Sequence, residues 1–380
     1  MKWIVRNLEK QFSEGLSQGK VTVVYGARRV GKTSLIERYM SKQKQLKKFA
    51  GTGDDIDLHN VFNSESLTAI NSAFKGYDIV FIDEAQRIPK IGRALKLLID
   101  ANPKMNIIAS GSSSFELANK IGEPLTGRQN THTLFPLSVG ELILHFGAMQ
   151  VIQNLQQYLV YGSYPEVLTC NNQLEKKKYL TELRNAYLFK DILELENIRN
   201  SAKLVDLLKL IAFQIGREVS LNELSKSLGI AKKTVERYLD LLEKAFVIIR
   251  VRAYSTNQRK EISKSSRYYF WDNGVRNSII QNFNDASTRM DMGMLWENFC
   301  FIERLKKQRY DNIFGNNYFW RTYDQQEVDL IEERDGTLFA FEFKYNLNKK
   351  TKIPKAFAEF YPNAAFECIT PSNFLSFLSE

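Results

Sequence analysis

A phosphate-binding loop is the clearest chemical signal in this sequence of 380 residues. Residues 26–33 read GARRVGKT, a full match to GxxxxGK[ST], between a short apolar run and a helical pattern. In that setting backbone N–H groups surround a phosphate, and the start of the helix adds partial positive charge. We predict that Lys32 reaches the terminal phosphates of a nucleoside triphosphate and that the Thr33 hydroxyl is a Mg²⁺ ligand. The alternative is a glycine-containing turn that only precedes a helix.

An acidic pair follows a second apolar run. Residues 79–82 are apolar, and Asp83 and Glu84 come directly after them. A strand that ends in Asp83 would bring this carboxylate to the nucleotide, where it can hold Mg²⁺ through water. Glu84 can then polarise the attacking water as the catalytic base. An acidic pair at the solvent boundary is the alternative, and the loop about 50 residues upstream argues against it.

A second set of acidic residues lies near the C-terminus. Glu297 is in a helical pattern, Asp329 is in a strand pattern, and Glu342 and Lys344 share one face of the next strand because side chains alternate along strands. Asp329 and Glu342 are hard oxygen ligands for Mg²⁺, and Lys344 can orient or deprotonate a water. We predict a catalytic set of Glu297, Asp329, Glu342 and Lys344. The alternative is an inactive fold in which these carboxylates form ion pairs with Lys344 and Arg321.

A helix-turn-helix pattern lies between these two sets. Residues 220–223 form a capping-box pattern that starts a short helix, and a second helix is predicted from about 232 to 244. A strand-rich segment follows at 246–254. In a winged helix, Lys232, Lys233 and Arg237 would contact DNA. A packing module with ordinary surface lysines is the alternative.

The elements that must position these residues follow from the hydrophobic pattern. Four buried strands alternate with helices, which predicts a parallel sheet covered on both faces. The chain then reads as helical from 138 to about 199, as three short helices and a hairpin over 203–255, and as helix, three strands, helix and strand after about 290. The four predicted strands are residues 21–25, 77–83, 106–110 and 131–137.

Composition and charge set limits on the function. With 44% hydrophobic and 25% charged residues, the chain is that of a globular protein of two to three domains. The net charge of +10 favours a polyanionic partner, and it divides into +7 over residues 1–130, +3 over 131–255 and zero over 256–380. Three scattered cysteines and three histidines argue against a disulfide framework or a zinc site. No apolar run has the length of a membrane span and the N-terminus lacks a signal-peptide core, so we expect a cytoplasmic protein with no membrane partner.

In these motifs the chain resembles the prokaryotic AAA+ ATPases that join a P-loop domain to a winged helix and a C-terminal PD-(D/E)xK restriction-endonuclease-like domain (the archaeal-type ATPase family). The resemblance runs in order over nearly the whole chain. Its stretches are GARRVGKTSLI, FIDEAQ, IIASGSSS, LTGR with LFPLSVGEL, YGSYPEVL, TVERYLDLLEKAFVI, YFWDNGVRN, EVDLI and FEFK.

The resemblance implies an α/β fold class and four domains. These are a P-loop AAA+ core at 1–137, a helical lid at 138–200, a winged helix with linker at 201–285 and a nuclease-like domain at 286–380. It also implies ATP as the nucleotide, with Mg²⁺.

The resemblance also implies two further functional residues in the core. Ser110 or Ser112 would be the nucleotide sensor, although a serine-rich turn capping a helix at Phe115 fits equally well. Arg128 would complete a neighbouring chain's site if the protein forms an oligomer, or else be a solvated arginine. The nucleotide-binding set is then Gly26, Ala27, Arg28, Arg29, Val30, Gly31, Lys32, Thr33, Ser34 and Ser110.

Two functions fit the sequence. The first is an ATP-hydrolysing enzyme that acts on double-stranded DNA through the winged helix and a Mg²⁺-dependent endonuclease-like tail. The alternative is a nucleotide-controlled switch or interaction protein whose nuclease-like domain is catalytically inactive. The neutral charge of the tail weighs against an independent nuclease.

Overall fold

The computed structural model describes most of the chain, and the residues form two compact units. The N-terminal unit contains residues 5–136 with 244–246, and the C-terminal unit contains 1–4, 137–243 and 247–380. The described residues are 3–13, 16, 18–112, 125–186, 201–254, 266–322, 324–346 and 352–379.

A five-stranded parallel sheet forms the centre of the N-terminal unit. Its spatial order is β2-β3-β4-β1-β5, and all four pairings are parallel. Three strands are almost wholly buried because their residues are apolar on both faces. The strands are β1 (Val21–Tyr25), β2 (Lys48–Thr52), β3 (Ile79–Asp83), β4 (Asn106–Gly111) and β5 (Gln129–Thr133).

The helices of this unit bury one apolar face each. On α5 the buried residues recur at helical spacing, and they join β1, β3 and β4 in one hydrophobic cluster. Two of the helices begin with a side-chain cap, from Asp55 and Ser66. The helices are α1 (Asn7–Ser13), α2 (Lys32–Lys42), α3 (Ile56–Asn63), α4 (Leu67–Phe74) and α5 (Ile91–Ala101).

A seven-stranded mixed sheet runs through the C-terminal unit. Its order is β12-β11-β10-β9-β7-β8-β6, so the hairpin after the helix-turn-helix segment and the strands of the tail belong to one sheet, joined where β7 runs parallel to β9. The strands are β6 (Glu218–Val219), β7 (Ile248–Ala253), β8 (Ser266–Phe270), β9 (Asn316–Arg321), β10 (Glu327–Arg334), β11 (Thr337–Phe343) and β12 (Ala365–Ile369).

Helices surround this sheet. The longest, α14, has 19 residues and is buried over most of its length. Before β6 lie α6 (Val139–Phe146), α7 (Ala148–Gln153), α8 (Leu155–Tyr161), α9 (Gln173–Leu183) and α10 (Ser201–Phe213). After it lie α11 (Leu221–Leu228), α12 (Lys232–Lys244), α13 (Asn273–Ile279), α14 (Met292–Tyr310), α15 (Lys355–Phe360) and α16 (Phe374–Ser379).

The sequence predicted most of these elements, with three differences. The predicted strand at 131–137 is β5 at Gln129–Thr133, and the hairpin partner of β7 is β8, beyond residue 255. The edge strand β2 was missed, because its residues are polar and only partly buried. The predicted cap at Phe115 lies outside the described residues, and the four-domain division stays a prediction. No helix in the described part of the chain is long and apolar enough to cross a membrane.

Candidate functional site

The phosphate loop begins with a glycine at a position where a side chain would clash with the backbone. Gly26 follows β1 with φ of +151°, and a Cβ atom there would lie 2.1 Å from the carbonyl oxygen of Leu134. The loop ends at Gly31, which has φ of +96° and precedes α2. The two glycines thus turn the backbone sharply at the carboxyl end of β1 and bring it to the N-terminus of a helix.

Two cationic side chains hold the loop from within. Lys32 is only 6% exposed, and its Nζ donates to the carbonyl oxygens of Gly26 (2.9 Å) and Ala27 (3.0 Å). Buried Arg6 donates through Nη1 to the carbonyl oxygen of Val30 (2.7 Å). Sequence reasoning missed Arg6, because nothing in its local pattern links it to the loop.

The predicted metal ligands lie together beside this loop. Thr33 Oγ1 donates to Asp83 Oδ2 at 2.6 Å, so the first turn of α2 meets the end of β3. Asp83 Oδ1 accepts from the backbone N–H of Glu84 (3.1 Å) and from the hydroxyl of buried Ser110. A hydroxyl and a carboxylate oxygen at this spacing are donors that Mg²⁺ prefers, so these residues fit the ion that accompanies a nucleotide.

Glu84 is held in an unusual backbone conformation. Its φ is +47°, a left-handed conformation that costs a non-glycine residue roughly 1–2 kcal/mol. Its Oε2 accepts hydrogen bonds from Gln86 Nε2 (2.5 Å) and Ser112 Oγ (3.1 Å). The backbone is also crowded, because a Cβ on Gly53 would lie 2.2 Å from the carbonyl oxygen of Glu84. Such strain is common where a side chain must point in one functional direction.

The two serines of the sequence prediction thus have different partners. Ser110 contacts Asp83, and Ser112 contacts Glu84. Gln86 is 5% exposed and bridges Glu84 to Ser112. Each acidic residue of the pair therefore has its own hydroxyl from the end of β4.

Arg128 lies away from the loop of its own chain. Its carbonyl oxygen accepts from the N–H of Val21 at the start of β1, whereas the loop follows Tyr25 at the other end. A five-residue strand separates the two by roughly 15 Å. The side chain is half exposed and pairs with Asp100 (3.2 Å). The structure does not bring Arg128 to its own chain's acidic pair.

A second cluster of ionisable groups lines a pocket of about 730 Å³ in the C-terminal unit. Glu297 enters it from α14, Asp329 from β10 and Lys344 from the end of β11. Lys344 Nζ pairs with Glu342 Oε1 at 2.5 Å. The four residues predicted from the sequence therefore lie in one region, which we call the carboxylate pocket.

An arginine that was not predicted from the sequence lies at the centre of this pocket. Arg267, from β8, is 3% exposed. Its Nη1 lies 3.5 Å from Asp329 Oδ1 and 3.7 Å from Glu297 Oε1, and its Nη2 donates to Glu327 Oε2 at 2.7 Å. Tyr269, two residues further along the same face of β8, donates to Glu297 Oε1 (2.8 Å). β8 thus supplies both a cation and a hydroxyl to the pocket.

Burial shifts the protonation of these carboxyl groups. It raises the pKa of Glu297 to about 8, and the neighbouring charge of Asp329 adds to the effect. The same two causes raise the pKa of Glu342 to about 7. Burial also raises the pKa of Asp329. The hydrogen bond that Asp329 Oδ2 accepts from the N–H of Phe343 (2.9 Å) acts in the opposite direction and lowers this pKa. At neutral pH the pocket therefore carries less negative charge than its carboxyl groups would in water.

The alternative of an inactive fold predicted ion pairs from Lys344 and Arg321 to the carboxylates of the pocket. Lys344 forms the expected ion pair with Glu342, whereas Arg321 pairs with Glu218 (3.2 Å). Within the described ranges, no group of three or more His, Cys, Asp or Glu side chains has an arrangement that could hold a metal ion.

A basic groove lies on the other face of β8. Its volume is about 1190 Å³, and it is lined by the start of α11, by α12 and by the strands β7 and β8. Lys232, Lys233 and Arg237 line it from α12, and Arg250 and Arg252 line it from β7. The three residues predicted to contact DNA therefore share one groove with two more arginines, and Glu236 and Asp240 of α12 line the same groove.

Family models match three segments of the chain. Residues 18–143 match the AAA domain, which supports a P-loop ATPase family for the N-terminal unit. Residues 152–286 and 292–373 match two domains of unknown function, DUF8612 and DUF4143. The match over 18–143 thus covers the phosphate loop and the acidic pair.

Several curated proteins resemble almost the whole chain. An uncharacterized protein of Mycobacterium tuberculosis is 26% identical over 344 residues, covering 89% of this chain and 73% of the relative. One from Methanocaldococcus jannaschii is 24% identical, covering 90% and 79%, and one from Haemophilus influenzae is 22% identical, covering 87% and 84%.

Among solved structures, AMPPCP-bound DnaA from Aquifex aeolicus is 16% identical over 63% of this chain and 89% of its own, with a TM-score of 0.26. Drosophila ORC bound to AT-rich DNA and Cdc6 is 11% identical over 73% and 90%, with a TM-score of 0.27.

Proposed function

We propose that the N-terminal unit, whose residues 18–143 match the AAA domain, binds ATP and hydrolyses it with Mg²⁺. The observation that carries the proposal is the 2.6 Å contact between Thr33 Oγ1 and Asp83 Oδ2, beside a loop that encloses the ammonium group of Lys32. This arrangement joins a phosphate-binding cation to a pair of metal-binding oxygens.

Each residue then has a defined part in the reaction. When the nucleotide binds, Lys32 Nζ leaves the carbonyl oxygens of the loop and donates to the β- and γ-phosphates. Thr33 and Asp83 would hold Mg²⁺. The bound ion supplies positive charge to the phosphate oxygens. Glu84 accepts a proton from the attacking water. Ser112 holds the Glu84 carboxylate near the end of β4 by a hydrogen bond, and we assign Ser112 as the sensor of the γ-phosphate.

The test separates nucleotide binding from turnover. Lys32→Ala should lose binding of a fluorescent ATP analogue by about a hundredfold, because it removes a buried charge partner of the phosphates. Glu84→Gln should still bind ATP but lose phosphate release by about a hundredfold or more. The matched control is Glu65→Gln, since Glu65 also has positive φ but pairs with Lys90 at the surface. Full turnover in Glu84→Gln would refute the assignment of the base.

A second candidate function is binding of double-stranded DNA in the basic groove. Five cationic side chains along one groove support it, because phosphate contacts dominate the affinity for DNA. Lys233→Ala and Arg252→Ala should each weaken binding uniformly across sequences and reduce the salt dependence by about one unit of slope. Lys226→Ala is the control, because this exposed lysine on α11 is not in the groove lining. Equal loss in all three variants would argue against a groove-specific contact.

For the tail we favour the alternative of an inactive nuclease-like domain over Mg²⁺-dependent cleavage of DNA. The ion pairs of Arg267 and Lys344 with the carboxylates support this choice. Together the parts describe a nucleotide-controlled, DNA-binding switch. The winged-helix assignment, an oligomer that uses Arg128 and a cytoplasmic location remain predictions within this proposal.

A further inference from the structure

We propose that Arg267 is the built-in cation of the carboxylate pocket and takes the position of the divalent ion that the pattern of Asp329, Glu342 and Lys344 implies. In a metal-dependent nuclease the neighbouring carboxylates hold a divalent ion that enters from solution. Here a guanidinium group from β8 lies within 3.7 Å of carboxylate oxygens on Glu297 and Asp329.

Arg267 is held firmly in this position. Its strand lies inside the sheet, where Arg267 is in register with Val251 of β7 on one side and Glu218 of β6 on the other. Its guanidinium also lies over the ring of Phe319, 4.5 Å from the ring centroid. Withdrawal of the charge would break these contacts and leave buried carboxylates without a counter-ion. The arginine is therefore part of the fold.

The oxygen atoms of the pocket are largely committed to other partners. Asp329 Oδ2 accepts from the N–H of Phe343, and Oδ1 faces Arg267. Glu342 Oε1 accepts from Lys344, whereas Oε2 is buried without a hydrogen-bond partner. Mg²⁺ needs only one or two protein carboxylates because it keeps several waters, but an ion held by Asp329 would lie beside the like charges of Arg267 and Lys344 and be repelled by them. The residues present therefore do not fit the ion.

The negative charge of the carboxylates in the tail is thus neutralised by Arg267 and Lys344. The pocket therefore takes its counter-charge from Arg267 and Lys344 and holds no divalent ion. Removal of Arg267 should convert it into a cation site, because Glu297, Asp329 and Glu327 would lose the cation that they share. This property belongs to the tail alone and does not depend on ATP hydrolysis.

The first experiment uses the wild-type full chain without nucleotide. Bound Mn²⁺ is measured by electron paramagnetic resonance in the wild type, in Asp329→Asn and in Glu342→Gln. We expect the three titrations to be the same. If the wild type binds Mn²⁺ and either substitution removes that binding, the inference is overturned, whatever the state of the ATPase site. Wild-type cleavage of DNA with Mn²⁺ that is lost in Lys344→Ala would overturn it as well.

The second experiment removes the arginine. Arg267→Met should gain a Mn²⁺ site and show a higher melting temperature with Mn²⁺ than without, and the gain should disappear in Arg267→Met with Asp329→Asn. The matched control is Arg304→Met, since Arg304 is equally buried but pairs with a single carboxylate, Glu332 (2.7 Å). It should lose stability without gaining a Mn²⁺ site. A folded Arg267→Met protein, verified by circular dichroism, that gains no Mn²⁺ site would contradict the inference.

Discussion

The phosphate loop and the carboxylate pocket use similar residues in opposite ways. Each has a lysine and two or more carboxylates. At the loop, Asp83 and Glu84 accept hydrogen bonds from hydroxyl and amide donors, and neither has a lysine or arginine ion-pair partner among the described residues. In the pocket, Arg267 and Lys344 pair directly with the carboxylates.

The difference lies in where the neutralising charge comes from. Hydroxyl and amide donors orient a carboxylate without cancelling its charge, so the loop site keeps an attraction for a cation that arrives with its ligand. A buried arginine satisfies the same charge permanently, because removal of either partner would leave an unpaired ion in a low-dielectric site. Two sites with the same residue types therefore differ in the source of the charge that balances their carboxylates.

The largest effect is expected at the start of the phosphate loop. Gly26→Ala would force a Cβ against the carbonyl oxygen of Leu134, and should lower the free energy of unfolding by about 3 kcal/mol and abolish nucleotide binding. Gly76→Ala is the control, since Gly76 also has positive φ but a Cβ there would meet no atom within 4 Å; it should cost about 1 kcal/mol and leave binding intact. Urea unfolding and ATP-analogue titration measure both quantities. Normal binding in Gly26→Ala would show that the loop tolerates a side chain.

An intermediate effect concerns the pH dependence of the carboxylate pocket. The pKa of Glu297 is about 8 in the folded protein and ordinarily about 4.5, so between these values the native state retains a proton that the unfolded state has lost. Stability from this group is therefore complete at low pH and falls as pH rises toward 8, by an amount on the order of a few kcal/mol. Glu297→Gln should flatten this part of the curve in urea unfolding series from pH 5 to about pH 9. An unchanged slope in the variant would mean that Glu297 is ionised in the folded pocket.

The smallest effect on stability is expected at Arg128. Its pair with Asp100 is exposed, so Arg128→Ala and Asp100→Ala should each change the free energy of unfolding by at most about 0.5 kcal/mol. ATP hydrolysis distinguishes the two variants. If Arg128 completes a neighbour's site, only Arg128→Ala loses turnover, and mixing it with Glu84→Gln chains restores part of it. Full ATPase activity in Arg128→Ala would show that Arg128 is an exposed arginine without a part in hydrolysis.

The sequence was sufficient for the parts of the fold that local pattern determines. The phosphate loop, the strand that ends at Asp83 and the alternating face of β11 all follow from short runs of residue types. The edge strand β2 was missed because its partly exposed residues lack an apolar period.

Local sequence patterns could not predict contacts between residues that are far apart in the chain. Arg6 donates to the carbonyl oxygen of Phe135, 129 residues away, and Arg267 meets Glu327 from 60 residues away. No spacing rule connects such pairs, since they come together only when separate segments of the chain pack in the fold. The sequence therefore predicted which carboxylates gather in the tail but missed the arginine that neutralises them.

The most direct test of this comparison is a count of bound Mn²⁺ ions per chain in the presence of a non-hydrolysable ATP analogue, by electron paramagnetic resonance. We predict one ion, which is lost in Thr33→Ala and retained in Asp329→Asn. Two ions, one of them lost in Asp329→Asn, would contradict it.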